Sequence, residues 1–332
     1  MKGPLFVSFA ILAFAGTSAS AQGIDSRCPA ATNAQRISQD ACQKAIDLFA
    51  YLAPQLATSI AGGNATLGMA GSLGGLGHFS AGLRVNALQG SLPQVQNVTL
   101  QTNGASNSPP IDTKTQLFPM PTAELAIGVF KGLPLAITNV GGVDLLVSAA
   151  YLPEFNSSGV SVKVPNGSLK LGYGARVGIL QESLLVPGVS VSYVRRDLPT
   201  VNIAANSGND SLYVNNFSLK TTAWRVVASK GLLLFGFAAG IGQDKYESST
   251  DISAHVAART LTPAANAGPV ALSQNITRTN VFADLSMNLL LFKLTGEIGQ
   301  VSGGTINTYN TFSGTQAADS RIYGSVGARF GF

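Results

Sequence analysis

From Asn64 to the end of the chain, apolar and polar residues alternate with a period of two, in segment after segment of similar length. In the clearest segment Phe79, Ala81, Leu83, Val85 and Ala87 share one face, and His78, Ser80, Gly82, Arg84 and Asn86 share the other. Successive side chains of a strand point to opposite sides of a sheet. Each such segment therefore offers one face to oil and one to water. A chain with many of them has few folds open to it. No second apolar run approaches the 18 or so residues a membrane helix needs, and in lipid only helices and closed barrels satisfy all their backbone polar groups. The pattern predicts an all-β transmembrane antiparallel β-barrel.

Strands are predicted near 65–73, 77–90, 94–103, 121–131, 142–154, 167–181, 187–198, 214–229, 231–246, 276–290, 292–302 and 320–332. The count is about twelve, within a range of about 10–14, because single-chain bacterial barrels have even strand numbers. The segment 94–103 is included partly to keep the count even, and the phase change near 217–226 predicts a bulge. Short links near 182–186, 229–231 and 290–292 alternate with long polar links at 104–120, 155–166, 199–213, 247–275 and 303–319. Outer-membrane barrels keep short turns in the periplasm and long loops outside. Composition agrees: only 11% of residues are charged, against about 25% in soluble domains, and the 37 glycines suit tight turns.

The N-terminal part reads differently. Residues 1–21 carry Lys2, an apolar stretch from Leu5 to Phe14, and Ala19-Ser20-Ala21, the form of a cleaved secretion signal. Residues 22–63 are helical by spacing, with Ile37, Ala41, Ala45, Leu48, Phe49, Leu52, Leu56 and Ile60 three or four apart. Thr32 or Asn33 is the expected cap, Pro54 an expected kink, and Gly62-Gly63 the expected stop. A helix of about 26 residues is about 39 Å long, so it either threads the lumen as a plug or lies at the periplasmic mouth. Cys28 and Cys42 are the only cysteines, and an even pair in an exported chain predicts a disulfide. The barrel is assigned to 64–332.

The water-facing sides of the strands supply the candidate site. Arg84, Glu124, Asp144, Lys170, Arg176, Arg225, Asp284, Lys293, Glu297 and Arg329 are expected to line the lumen. Placed on the lipid face, each Arg or Lys would cost about 2–4 kcal/mol at mid-depth. Two roles stay open: a basic constriction that favours anions, or pairs that cross the lumen and hold a plug. His78 and His255 are isolated, so no metal or cofactor is expected. No serine-hydrolase elbow, phosphate loop or dinucleotide fingerprint marks an enzyme. No basic run suggests nucleic acid.

The last segment, Arg321 to Phe332, sets Ile322, Val326, Ala328, Phe330 and Phe332 on one face. It resembles the C-terminal assembly signal of bacterial outer-membrane proteins, in which Phe330 and Phe332 are recognised by the barrel-assembly machinery. The helical segment 22–63, followed by Gly-rich strands to Phe332, is loosely similar to the long-chain fatty-acid transporter family, whose barrels hold an N-terminal hatch and pass hydrophobic molecules. The family's fourteen strands and its diagnostic motifs are not matched, so no ligand-binding residue carries over. The expected function is a passive outer-membrane channel for small molecules, hydrophobic ones included, with outer-membrane lipid as its surroundings. The alternative is a structural or surface-interaction barrel with a closed lumen.

Overall fold

A computed structural model describes residues 23–30, 32, 35–135, 137–157, 159–258, 263–289 and 292–331. Residues 1–21, where a secretion signal is expected, and Phe332 lie outside the described residues. Helix α1 spans Arg36–Ala61. The strands follow as β1 (Phe79–Pro93), β2 (Thr113–Phe130), β3 (Leu133–Leu135), β4 (Thr138–Val140), β5 (Gly142–Tyr151), β6 (Phe155–Ser157), β7 (Val160–Lys163), β8 (Leu169–Leu180), β9 (Gly188–Asp197), β10 (Val201–Ser207), β11 (Asp210–Leu232), β12 (Phe235–Val256), β13 (Ala265–Leu289), β14 (Phe292–Ser302) and β15 (Arg321–Gly331).

Ten antiparallel strands close on themselves in the order β1-β2-β5-β8-β9-β11-β12-β13-β14-β15. The last strand seals the ring against the first, from Ser80 opposite Gly331 to Leu88 opposite Tyr323. Phe79 and Phe330 meet edge to face at this seam, with ring centres 5.9 Å apart. The phase change expected near 217–226 is a register shift between Asn215 and Ser218. The ring takes the low end of the predicted range, because two expected strands are absent. Around 94–103 there is one short 3-10 turn, Val95–Asn97. Residues 65–73 lie inside the barrel, where wall side chains take the backbone groups that a ladder would have used. The wall therefore begins at Phe79 and not at residue 64.

The outside of the ring is oily. Leu83 and Ile298 are 70% and 65% exposed, and Leu145, Phe237, Ile241, Leu285 and Val326 also face outward. About nine residues of a strand tilted at about 40° rise through roughly 22 Å, close to the roughly 25 Å apolar band of such barrels. Exposed Gln89, Lys220, Gln243 and Gln300 end the band on one side. Exposed Tyr151, Tyr173, Tyr193 and Trp224 ring that edge, while Phe130, Phe235, Phe292 and Phe330 ring the opposite one. Aromatic rings gather at the two interfaces of a membrane.

The wall is uneven in height. On one side β5 and β9 have 10 residues each; on the other, β11, β12 and β13 have 23, 22 and 25. The tall strands continue past the apolar band at the long-loop end, and β10, β7 and β6 extend the sheet from β11. Their inner face is apolar and wraps α1, which packs on β11, β12, β13 and β1. Leu48, Phe49, Ala53, Ala57 and Ile60 meet Phe217, Leu219, Ile252, Leu272 and Ile276 in one cluster. The stripe of the helix is buried here, at the long-loop end of the lumen.

The helix begins without a side-chain cap at Gln35. Thr32 accepts the Gln35 N–H through its carbonyl, and Asn33 lies outside the described residues. Pro54 stays within the helix. Its missing N–H frees the carbonyl of Ala50, which accepts a bond from Gln274 at 3.4 Å. Gly62 ends the helix at φ 59°. The Cys28–Cys42 disulfide ties the entering chain to the second turn. It sits beside Ala254, Val256, Ala265 and Ala267 at the β12–β13 tip. The chain thus enters at the long-loop end, runs down the lumen, and turns at the far mouth into β1.

Candidate functional site

The polar half of the lumen begins where the helix stops. The last carbonyls of a helix lack internal partners and carry the negative end of its dipole. Here the wall supplies cations to them. Arg196 donates to the Ala61 carbonyl at 2.6 Å. Arg225 donates to the carbonyls of Gly62 and Gly63, each at 3.1 Å. Arg84 donates to that of Asn64 at 2.7 Å, and the Asn280 amide to that of Gly62 at 2.9 Å. Glycine is required at 63 for this approach: a Cβ there would stand 2.5 Å from the Tyr323 hydroxyl and 2.6 Å from the Glu297 carboxylate.

Acidic wall residues take the N–H groups of the same segment. Glu297 accepts from the amides of Gly63 and Asn64 at 3.2 and 2.7 Å. Asp284 accepts from the Asn64 side chain at 2.7 Å and the Gly68 amide at 2.8 Å. Asp144 accepts from the Leu73 amide at 3.0 Å, and Ser229 from that of Ala70 at 3.1 Å. Lys293 donates to the Gly68 carbonyl at 2.9 Å, and Gln181 to that of Ser72 at 2.7 Å. Residues 62–73 are thereby suspended in the lumen without secondary structure.

The wall charges also pair with one another. Arg176 bonds Asp144 at 2.7 Å, Arg225 bonds Asp244, and Glu124 joins Arg84 and Arg196. Burying an ion pair gains little overall, but removing one partner is costly because the other charge is stranded. Arg84, Glu124, Asp144, Arg176, Arg225, Asp284, Lys293, Glu297 and Arg329 all project inward, and they act on the plug or on each other. Lys170 differs: it is exposed at the long-loop end of β8, where the strand has cleared the apolar band. The right phase on a strand gives the inward side but not the depth. Sequence reading missed Asp244, Ser229, Tyr323 and Asn280 as site residues. Asp244 continues the phase of Gly240 and Gly242, and that is the signal that marks it.

At the long-loop end the loops fold over the polar side of α1. Asp40 accepts from Lys44 at 2.5 Å and from the amides of Gln101 and Ser106 at 2.7 and 3.0 Å. Asp47 accepts from the amides of Tyr309 and Asn310 at 3.1 and 2.8 Å. Burial pushes the Asp47 carboxyl above its ordinary range, against the pull of these bonds. Tyr51 stacks on Phe312 at 3.8 Å. Two spaces remain at the ends of the plug. An apolar cavity of about 70 Å³ lies between Ala45, Leu48, Val98, Leu100, Leu212 and Val256. An open vestibule of about 430 Å³ lies at the short-turn mouth, lined by Met69, Leu73, Phe79, Lys293 and Arg329.

No protein-family model matches the chain, and no curated protein matches it. Solved structures that resemble it are bacterial barrels. The attachment invasion locus protein Ail of Yersinia pestis is 10% identical, with 77% of this chain and 99% of that one covered, at a TM-score of 0.22. The toluene transporter TbuX of Ralstonia pickettii is 12% identical over 81% and 91% of the two chains, at 0.28. An anion-selective porin from Comamonas acidovorans is 9% identical over 77% and 98%, at 0.18. Likenesses this distant carry no functional argument, and membership of the long-chain fatty-acid transporter family is not shown by them.

Proposed function

We propose that this chain is a non-catalytic outer-membrane channel for passive uptake of small molecules, closed in this conformation by residues 36–73. The apolar belt and its aromatic edges suit a lipid bilayer, with the long loops outside and the short turns in the periplasm. One observation carries the reading: the inner stretch of the plug is suspended from polar and charged wall groups rather than by a continuous apolar core. Water can replace such bonds one by one, at a net cost of about 0.5–1.5 kcal/mol for an ordinary bond and about 1.5–3 for one to a charged group. A permanently filled small barrel instead packs its interior with side chains. The 430 Å³ vestibule beneath the segment is room for it to move. The apolar lining of the outer 70 Å³ cavity favours small hydrophobic solutes among those admitted.

A lock on the segment tests this. A Cβ placed on Gly178 lies 3.0 Å from the Ser72 Cβ, within about 1 Å of disulfide spacing. In planar bilayers or swelling liposomes, the intact protein is expected to pass solute. The S72C/G178C variant is expected to pass it only when reduced, with the unaltered chain under the same reductant as control. Flux indifferent to the lock removes the segment as a gate. No flux from the intact protein supports the second reading, a closed surface-interaction barrel. The tall outer sheet, with exposed Lys245 and Glu247 and half-buried Asp251, favours that alternative.

A further inference from the structure

Between the plug and the wall, on the side of β1, β2 and β9, lies a cavity of about 30 Å³. Arg84, Arg196, Arg329 and Glu124 line it, together with Thr66 of the plug and Thr295 of β14. Three guanidinium-bearing residues and one carboxylate therefore line the same space. Glu124 is already shared by Arg84 and Arg196. Arg329 has no carboxylate within 4.0 Å among the described residues. Its contacts are the Gly68 carbonyl and the Met69 sulfur, both at 3.5 Å. Arg329 is half-buried and also reaches the open vestibule, so water screens part of this charge.

The same cavity gathers donors that have nothing to bond. Arg84 Nε, Arg196 Nε, Thr66 Oγ1 and Thr295 Oγ1 are buried without a hydrogen-bond partner among the described residues. Their residues are 2%, 6%, 6% and 6% exposed. Buried polar groups are nearly always satisfied, by protein or by a bound species. Guanidinium and hydroxyl donors around one space, with more positive than negative charge in its lining, select an anion over a cation. Size restricts it further. One water needs about 10–15 Å³ of such space, so the cavity suits a chloride or bromide ion and is too small for a tetrahedral oxyanion.

We infer that this cavity is a halide-binding site, with chloride as its natural occupant. The bound ion balances the third guanidinium and bridges plug to wall through Thr66. Arg84 and Arg196 also hold the Asn64 and Ala61 carbonyls. Halide therefore orients the two arginines that grip the end of the helix and favours the closed conformation. The inference stands whether or not the barrel conducts.

The test uses the full mature chain in detergent at constant ionic strength, with sodium chloride exchanged for sodium gluconate. Chloride and bromide are expected to raise the melting temperature saturably, by about 2–4 °C at roughly tenfold excess over the dissociation constant. Crystals grown in bromide are expected to show anomalous density among Arg84, Arg196 and Arg329. R329Q, which removes the surplus cation, is expected to weaken the halide response about tenfold. T66V removes one donor at no change in charge and is expected to weaken it similarly, and it serves if R329Q does not fold. Equal melting in chloride and gluconate, water alone at the site in bromide crystals, or an undiminished response in the folded variants would each overturn the proposal.

Discussion

The two ends of the lumen hold the same stretch of chain by opposite means. At the outer end, α1 lies on an apolar sheet, with Phe49 meeting the Phe217 ring at 6.2 Å and its neighbours packed like a protein core. At the inner end, residues 62–73 hang from arginines, carboxylates and amides. Apolar packing is lost all at once when a surface separates, because its strength scales with the area removed from water. Hydrogen bonds can be traded for water singly. The outer half is therefore built to stay and the inner half to rearrange. Both halves are buried, so burial alone does not distinguish them; the kind of contact does.

The largest expected effect falls on the inner half. Arg225→Met leaves Asp244, which is fully buried, without its counter-charge, frees the Gly63 carbonyl and leaves that of Gly62 to Asn280 alone. A loss of about 3–5 kcal/mol is expected, with a rise in bilayer conductance. The double change with Asp244→Leu should recover most of the stability but not the closed state. If R225M melts as the unaltered protein does, the polar suspension carries no weight and the contrast fails.

Next is Leu48→Ala in the outer half, where Leu48 is 7% exposed within the apolar cluster. It should lower unfolding stability by about 2–5 kcal/mol while conductance stays as it was. Increased conductance would show that the outer half also gates. Replacing Cys28 and Cys42 by serine opens the link across a sequence separation of 14. About 2–4 kcal/mol is expected from loss of the constraint, again without added flux, and thermal melting with and without reductant checks it.

The smallest effect concerns pH. Burial raises the folded carboxyl of Asp47 above its ordinary 3.8. The folded chain then holds this proton more tightly than the unfolded one. The resulting contribution is fully present below pH 3.8 and is lost as pH rises through the folded value. Asp47→Asn should abolish this dependence and change neutral-pH stability by about 1 kcal/mol or less. Melting curves across acidic pH measure both. A dependence unchanged in the variant would move its origin away from the loops over α1.

Much of this was legible in the residues. The alternation from Phe79 to Ala87 marked a wall strand with Arg84 inward, and Leu48 and Phe49 marked the buried side of a helix. Lys170 shows where phase fails, since exposure at a strand end depends on the height of the membrane belt. Residues 65–73 show the same limit for backbone. Their sequence suited a strand, yet in the fold Asp284, Ser229 and Asp144 hold their amides in place of a neighbouring strand.

The sequence by itself determined which segments must show oil one way and water the other, and hence a closed ring of antiparallel strands preceded by an amphipathic helix. Those are properties of neighbours one to four residues apart, and local geometry enforces them. Only the tertiary structure decided that the ring closes at ten strands, that the helix enters from the long-loop end, and that Arg225 meets Gly62 across 163 residues of chain. The physical reason is that a buried donor or acceptor is costly without a partner, and which partner it finds depends on proximity in space.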